Sequence, residues 1–484
     1  MNKIIHSLFF KFMNLGSSQI VSFIVSLILA RFLTPAEYGM LSLLLIFTNL
    51  ATIFVQSGLN TALVQKLDAD DMDFSTVFWA SMGAATVFYI LLFLNAPFIA
   101  VFYDMPDVSI YLRVLGLILF PGAINSIQLA KISKEMAFQK LFKCNLVGLL
   151  ASSVVGVTMA YKGFGVWALI AQQLTNQTVN CFTMFVIVNW RPRLMFSVSR
   201  FKKLFGFGWK LLLSGLLNAI YTDLRNLVIG KKYDAATLGL YSRGQQFPSV
   251  LISNIDGSIN SVMLPALAEK QNNKVEAKSM MRRAVKTSSY IVWPMMIGLA
   301  VVADPAVRLI LTEKWVGCVP YLQILCISYA FMPIHTSNLQ AINAMGRSDV
   351  FLRLEIIKKI YGIAILVIAV VCFESPLAIA VSGVVSGLIS TFVNASPNKK
   401  IMNYSYFEQM KDIIPSLILS VTMGVIICPL SWIIDSDFLL LVSQILLGVV
   451  SYVALSAIFK VEAYRYLLNM AVGLLKERRI YHQH

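Results

Sequence analysis

The chain is 484 residues long, 58% hydrophobic and only 13% charged, with a mean hydropathy of +0.74. Soluble domains hold about 45–50% apolar and about 25% charged residues, so a cytosolic enzyme is excluded. Apolar runs far longer than a membrane β-strand exclude a porin-type barrel. The net charge of +16 is carried by loops between apolar runs, a pattern that orients membrane proteins and does not point to nucleic acid.

Apolar runs bounded by Pro, Gly and charge clusters predict spans near 10–33, 39–63, 76–101, 110–130, 143–161, 164–189, 205–229 and 236–265. Six more follow near 288–311, 318–344, 355–373, 376–396, 413–433 and 438–459. At about 20–25 residues per span, the chain reads as an all-α polytopic membrane protein of about 14 transmembrane helices. Lys3 and Lys11 precede a long apolar run without a small-residue cleavage site, so the first span is expected to be retained. The six cysteines lie singly, mostly in apolar segments, and read as small buried residues without a disulfide or metal role.

With the N-terminus inside, 30 basic residues fall inside, 7 outside and 3 within spans. One misplaced span would invert every later loop, so this imbalance predicts that both termini are cytoplasmic.

The first and seventh spans match at an offset of 200. Gly39-Met40-Leu41-Ser42 stands against Gly239-Leu240-Tyr241-Ser242, Gln56 against Asp256, and Asn60 against Asn260. With small insertions Ala96-Pro97 matches Asp304-Pro305, Tyr111-Leu112 matches Tyr321-Leu322, and Pro121 matches Pro333. Six spans is an even number, so the copies share one orientation, a parallel repeat. Residues 1–200 are expected to form one six-helix lobe and 201–400 a second around a central cavity. Residues 401–484 supply two further helices and a basic cytoplasmic tail.

A charge at mid-bilayer costs roughly 2.5–3.5 kcal/mol unless it is paired or wet. Spans seven and eight carry Lys210, Asp223, Arg225, Arg243 and Asp256. Lys210, Ser214, Asn218, Tyr221 and Arg225 share one helical face within about 80°. Tyr241, Gln245, Ser249, Ser253, Asp256 and Asn260 form a similar stripe on span eight. Thr48, Asn49, Thr52, Gln56 and Asn60 form a weaker one on span two, and Asn14, Ser18 and Ser22 lie on span one. Lys210 either snorkels to the cytoplasmic interface or lines the cavity with Asn218, Tyr221, Gln245, Asn260, Gln56 and Asn60. Arg225 snorkels outward or contacts an anion. Asp256 either couples a cation or proton or makes a buried hydrogen bond. Asp223 and Arg243 lie at equal distances from the loop between their spans and read as a structural salt bridge. Arg31 and Lys231 occupy equivalent outward ends, as interface anchors or as a basic rim that receives a phosphate. The Ser and Asn stripes also fit interhelical hydrogen bonding.

No phosphate-cradling ATPase loop, zinc spacing or Ser/His/Asp constellation is present in the sequence. No cofactor, metal or enzymatic activity is therefore expected. Within span ten, His335 reads as a hydrogen-bonded helix residue, and the terminal His482 and His484 as a solvated tail.

Several segments together resemble the Wzx-type polysaccharide flippases: Leu33-Thr34-Pro35-Ala36-Glu37-Tyr38-Gly39, Gln56-Ser57-Gly58-Leu59-Asn60-Thr61-Ala62-Leu63-Val64-Gln65 and Ser75-Thr76-Val77-Phe78-Trp79. Gly163-Phe164-Gly165-Val166-Trp167-Ala168-Leu169, Trp190-Arg191-Pro192-Arg193, Ile229-Gly230-Lys231-Lys232-Tyr233 and Leu238-Gly239-Leu240-Tyr241 complete the set. It is most similar to the WzxC-like, colanic-acid branch of the multidrug/oligosaccharidyl-lipid/polysaccharide (MOP) exporter superfamily, over roughly residues 10 to 350. The resemblance implies a MATE-like pair of lobes, alternating access, and transfer of undecaprenyl-diphosphate-linked oligosaccharide to the periplasmic face of a bacterial inner membrane. It also implies membrane lipids and a periplasmic-side glycan polymerase as partners. A pyrophosphate-contacting role would fall on Lys210 or Arg225. The alternatives are a cation-coupled multidrug exporter and, less consistent with the short outer loops, a membrane glycan polymerase or ligase.

Overall fold

A computed structural model of the protein describes residues 2–56 and 58–469, with side chains from residue 18 onward. The side chain of Asn14 and the tail bearing His482 and His484 lie outside these. The chain forms two compact units that divide between Ser242 and Arg243. The first holds α1 (Asn2–Phe32), α2 (Pro35–Gln56), α3 (Leu59–Gln65), α4 (Asp71–Phe102), α5 (Val108–Leu115), α6 (Leu119–Glu135), α7 (Phe138–Tyr161), α8 (Val166–Ile187) and α9 (Val198–Lys232). Helix α10 (Ala235–Glu269) begins there. The second unit continues with α11 (Lys274–Val301), α12 (Ala303–Leu311), α13 (Val319–Ala330), α14 (Met332–Ala344), α15 (Ser348–Cys372), α16 (Pro376–Ala395), α17 (Asn398–Met402), α18 (Tyr406–Ile427) and α19 (Asp437–Ile458).

Among the described residues, 11 helical segments are long and apolar enough to cross a membrane. The three other predicted spans fall on α1, α8 and α15, of 31, 22 and 25 residues. At about 1.5 Å per residue these also reach across roughly 30 Å of hydrocarbon. Helix α8 carries Gln172, Gln173 and Gln177 and α15 carries Arg353, Glu355 and Lys358, while α1 is apolar over Ser18–Phe32. Large apolar side chains such as Phe98 (73% exposed), Val371 (77%) and Val425 (67%) point outward, which suits lipid as their solvent.

Side-chain caps start several helices. Asp70 accepts from the Asp73 backbone N–H at 3.0 Å, and the Asp73 carboxylate accepts from the Asp70 N–H at 3.1 Å, closing a capping box on α4. Ser405 and Glu408 do the same for α18, while Asn273 caps α11 and Ser197 caps α9.

Several predicted spans are broken. Span two divides into α2 and α3 at Gly58, whose φ of +66° suits glycine. Span four divides into α5 and α6 through a 3-10 turn at Gly116–Ile118, and span ten into α13 and α14 at Phe331. Pro121 and Pro333, matched by the repeat, each stand just inside the second half, where a missing N–H costs least. Span seven runs well past its predicted 205–229, to 35 residues, because the Ser197 cap starts it early.

In the first unit Leu59, Leu63, Phe74, Val77, Ile127 and Trp190 form a buried cluster. In the second, Tyr290, Leu419, Met423 and Tyr452 do. Tyr452 Oη donates to the Tyr290 carbonyl at 2.8 Å, and Tyr290 Oη to Ser456 Oγ at 2.9 Å, which fastens α19 to α11.

Candidate functional site

Helix α9 packs on α2 and α3 through a small-residue face. A Cβ on Gly58 would lie 2.5 Å from the Gly208 carbonyl oxygen, so the two backbones touch, and Gly215 meets Ile53 on the same side. On an ideal helix the Lys210–Asn218–Tyr221–Arg225 stripe is centred about 90° around from that face. Lys210 and Asn218 are accordingly exposed, whereas Tyr221 and Arg225 are half-buried. Lys210 and Asn218 make no side-chain hydrogen bond among the described residues.

Polar side chains of α2 open on a cavity of about 370 Å³ enclosed by α2, α6, α7 and α8. Gln56 lines it with Thr48, Asn49 and Thr52. Opposite them stand Asn125 and Ser126 of α6, Asn145 of α7, and Gln173, Gln177 and Asn180 of α8. Among the described residues no charged side chain lines this wall. Asn60, on α3, donates instead to Ser126 Oγ. The sequence stripe on span two supplied one wall; the facing carboxamides are scattered over three other helices and became visible only on folding.

In the second unit the span-eight stripe meets α13 and α14. Asp256 Oδ1 accepts from Thr336 Oγ1, and Asn260 Oδ1 accepts from Gln340 Nε2 at 2.5 Å. Gln245 Nε2 donates to Tyr329 Oη at 3.4 Å. Asn60 and Asn260, equivalent in the repeat, thus each bond the half-helix that begins at the repeated proline. Arg243 is 2% exposed, donates to Gln246 Oε1, and lies 5.1 Å from the Trp315 ring. In the first unit, Asp223 accepts from Asn226 at 3.4 Å.

At the ends of α1 and α9, Arg31 and Lys231 are both exposed. Lys231 Nζ lies 3.0 Å from Asp104 and 5.0 Å from the Phe102 ring. Cations suit helix C-termini, and an exposed pair of this kind contributes little energy.

Other sequence motifs prove to be fasteners. Ser75 Oγ and Thr76 Oγ1 accept from the backbone N–H groups of Arg193 and Ser197, both at 3.2 Å. Trp79 Nε1 donates to the Arg193 carbonyl at 2.8 Å. Trp190 packs 5.8 Å from Phe74, so the 188–197 linker is stitched to α4. Glu37 accepts from the Thr34 N–H at 2.6 Å, and Gly165, with φ of +56°, leaves room for its carboxylate.

A burial-dependent cluster that sequence reasoning missed joins α11 to α18. Arg282 makes two 2.7 Å bonds to Asp412, Tyr404 Oη donates to the same carboxylate at 2.9 Å, and Lys286 lies 3.4 Å away. Its members are spaced too far apart in sequence to be paired by inspection.

The fold matches known transporters. Lipid II flippase MurJ, in an inward closed conformation, superposes with a TM-score of 0.77 at 16% identity, covering 95% of this chain and 100% of that one. An inward-facing multidrug resistance MATE family transporter of the MOP superfamily gives 0.61 at 15% identity, covering 80% and 96%. Among sequence relatives, the lipopolysaccharide biosynthesis protein WzxC of Escherichia coli (strain K12) is 23% identical over 418 residues, 83% of each chain. The succinoglycan biosynthesis transport protein ExoT of Rhizobium meliloti (strain 1021) is 23% identical over 330 residues, 68% of this chain and 67% of that one. The teichuronic acid biosynthesis protein TuaB of Bacillus subtilis (strain 168) is 24% identical over 333 residues, 68% of each. The resemblance read from the motifs is borne out. Residues 28–320, more than half of the chain, match the family described as "Polysaccharide biosynthesis protein", and the chain is a member of that family.

Proposed function

We propose that the protein is a flippase that moves oligosaccharide repeat units, linked to a polyprenyl diphosphate, from the cytoplasmic to the periplasmic leaflet of a bacterial inner membrane. The observation that carries this reading is the stripe on α9. In a member of a polysaccharide biosynthesis family, a membrane-length helix keeps Lys210 and Asn218 exposed and unbonded beside its packed glycine face. An exposed ammonium within a span needs water or an anion nearby, and a diphosphate supplies the anion. Arg225 lies on the same face. Two like-oriented lobes, residues 1–200 and 201–400, would alternate access to this face, while the polyprenyl tail stays in lipid.

The membrane potential favours the direction. About two negative charges leaving an inside-negative cell gain about 4.6 kcal/mol per 100 mV. With both termini in the cytoplasm, Arg31 and Lys231 stand at the outer side as a receiving rim. A glycan polymerase on that side would accept the product.

A strain deleted for the gene should accumulate lipid-linked repeat units on the inner leaflet. Intact surface polymer without accumulation would overturn the reading. A cation-coupled multidrug exporter is the second reading, favoured by the MATE-like fold and by Asp256 within α10. It predicts lost dye efflux with normal surface glycan.

A further inference from the structure

The α2–α6–α7–α8 cavity differs chemically from the α9 stripe. Its polar wall, among the described residues, is built of carboxamides and hydroxyls without a charged side chain. Asn49, Gln56 and Gln173 line it and make no hydrogen bond among the described residues. The Oδ1 atoms of Asn125 and Asn180, also on this wall, have no partner there either. Inside a membrane protein, polar groups usually find partners across helices, and leaving several unmatched on one wall is unfavourable. Water, or the hydroxyls of a ligand that displaces it, can satisfy them there.

A carboxamide donates through nitrogen and accepts through oxygen, and a sugar hydroxyl does both through one atom. Among the described residues a diphosphate would meet no cation on this wall, and an organic cation would meet no anion. About 370 Å³ is of the size that ligand pockets span, about 300–1,000 Å³, and admits one or two sugar rings. Among the described residues the wall has no aromatic platform for tight stacking. Weak holding through hydrogen bonds is what a carrier needs if it is to release its cargo.

We propose that this cavity is a binding subsite for the uncharged sugar hydroxyls of the transported glycan, separate from any diphosphate contact on α9. The inference rests on the flippase reading and extends it to how the glycan part is recognised.

The test titrates full-length protein in lipid nanodiscs with two probes: the lipid-linked repeat unit extracted from the deletion strain, and undecaprenyl diphosphate without sugar. Gln173→Leu on α8 and Asn49→Leu on α2 each keep side-chain bulk and remove hydrogen bonding. They lie on different helices, so a folding failure of one, seen by melting, leaves the other. The expected result is about five- to twentyfold weaker binding of the glycan-bearing lipid, as for one or two lost hydrogen bonds, with undecaprenyl diphosphate unaffected. Unchanged binding of the glycan-bearing lipid overturns the subsite and leaves the flippase standing. Equal weakening toward both probes overturns it too. Wild-type protein that binds neither probe overturns the flippase reading itself.

Discussion

Gly39 and Gly239 lie backbone to backbone at the starts of α2 and α10, in a reciprocal arrangement. A Cβ on Gly39 would collide with the carbonyl of Ala235, and a Cβ on Gly239 would collide with the carbonyl of Pro35. Pro35 and Ala235 are themselves 200 residues apart, the offset of the internal repeat. The contact is therefore a local two-fold within one chain, in which residue i meets j plus 200 and j meets i plus 200, as at an isologous dimer interface.

This contact makes the first prediction. Gly39→Ala or Gly239→Ala forces the helix starts apart and should cost about 1–3 kcal/mol, the usual range for overpacking. A lower melting temperature in detergent is expected for both. If both variants melt like the wild type, the two helix starts are free to separate.

Arg225→Ala should abolish polymer export while dye resistance stays unchanged, because a diphosphate needs the guanidinium and an organic cation does not. Lys210→Ala should reduce export in the same assay. Arg225→Lys retains the charge without the planar fork and should keep part of the activity. Export by Arg225→Ala at the wild-type rate removes this residue from the path.

Asp256→Asn separates two roles for that carboxylate. The amide oxygen can still accept from Thr336 Oγ1, so a purely structural side chain should leave both melting and transport intact. A group that takes up a cation or proton should lose gradient-driven transport while melting stays the same. Measuring transport with and without an imposed ion gradient decides between them.

The capping box of α4 makes a pH prediction. The Asp70 carboxyl is held below its ordinary 3.8, first by the Asp73 backbone N–H, against the opposing effect of burial, and then by Arg200. A carboxylate whose folded value is depressed stabilises the fold above its unfolded value, and loses that contribution as pH falls through the folded one. The cap should hold at pH 6 and loosen below about pH 4. Amide hydrogen exchange in the 66–70 loop, corrected for the intrinsic pH dependence of exchange, should speed up over that interval; a flat corrected profile would count against the cap as the loop's anchor.

Much of the fold was legible because membrane helices announce themselves by length and apolarity. Breaks within spans were less so. Gly58 lies within the predicted span two, between Gln56 and Asn60 of its polar stripe, and only the approach of the Gly208 carbonyl explains why the chain turns there. Two kinds of site signal also behaved differently. The α9 stripe is periodic on one helix, so spacing alone found Lys210, Asn218, Tyr221 and Arg225. The carboxamide wall draws Asn125, Asn145, Gln173 and Gln177 from three helices, and periodicity within one helix does not reveal such convergence. Motifs that carried the family resemblance, such as Ser75-Thr76 and Trp190-Arg191-Pro192-Arg193, hydrogen-bond and pack against each other.

That stitching constrains motion in the first unit. The backbone between α8 and α9 is tied at Arg193 and Ser197 to the start of α4, and Asp73 at the same place holds Lys66 at 2.6 Å and Arg200 at 3.3 Å. A leash anchored at both its middle and its end has no slack to pay out. A reorientation of α9 relative to α4 therefore has to break these bonds or bend the helix beyond Arg200.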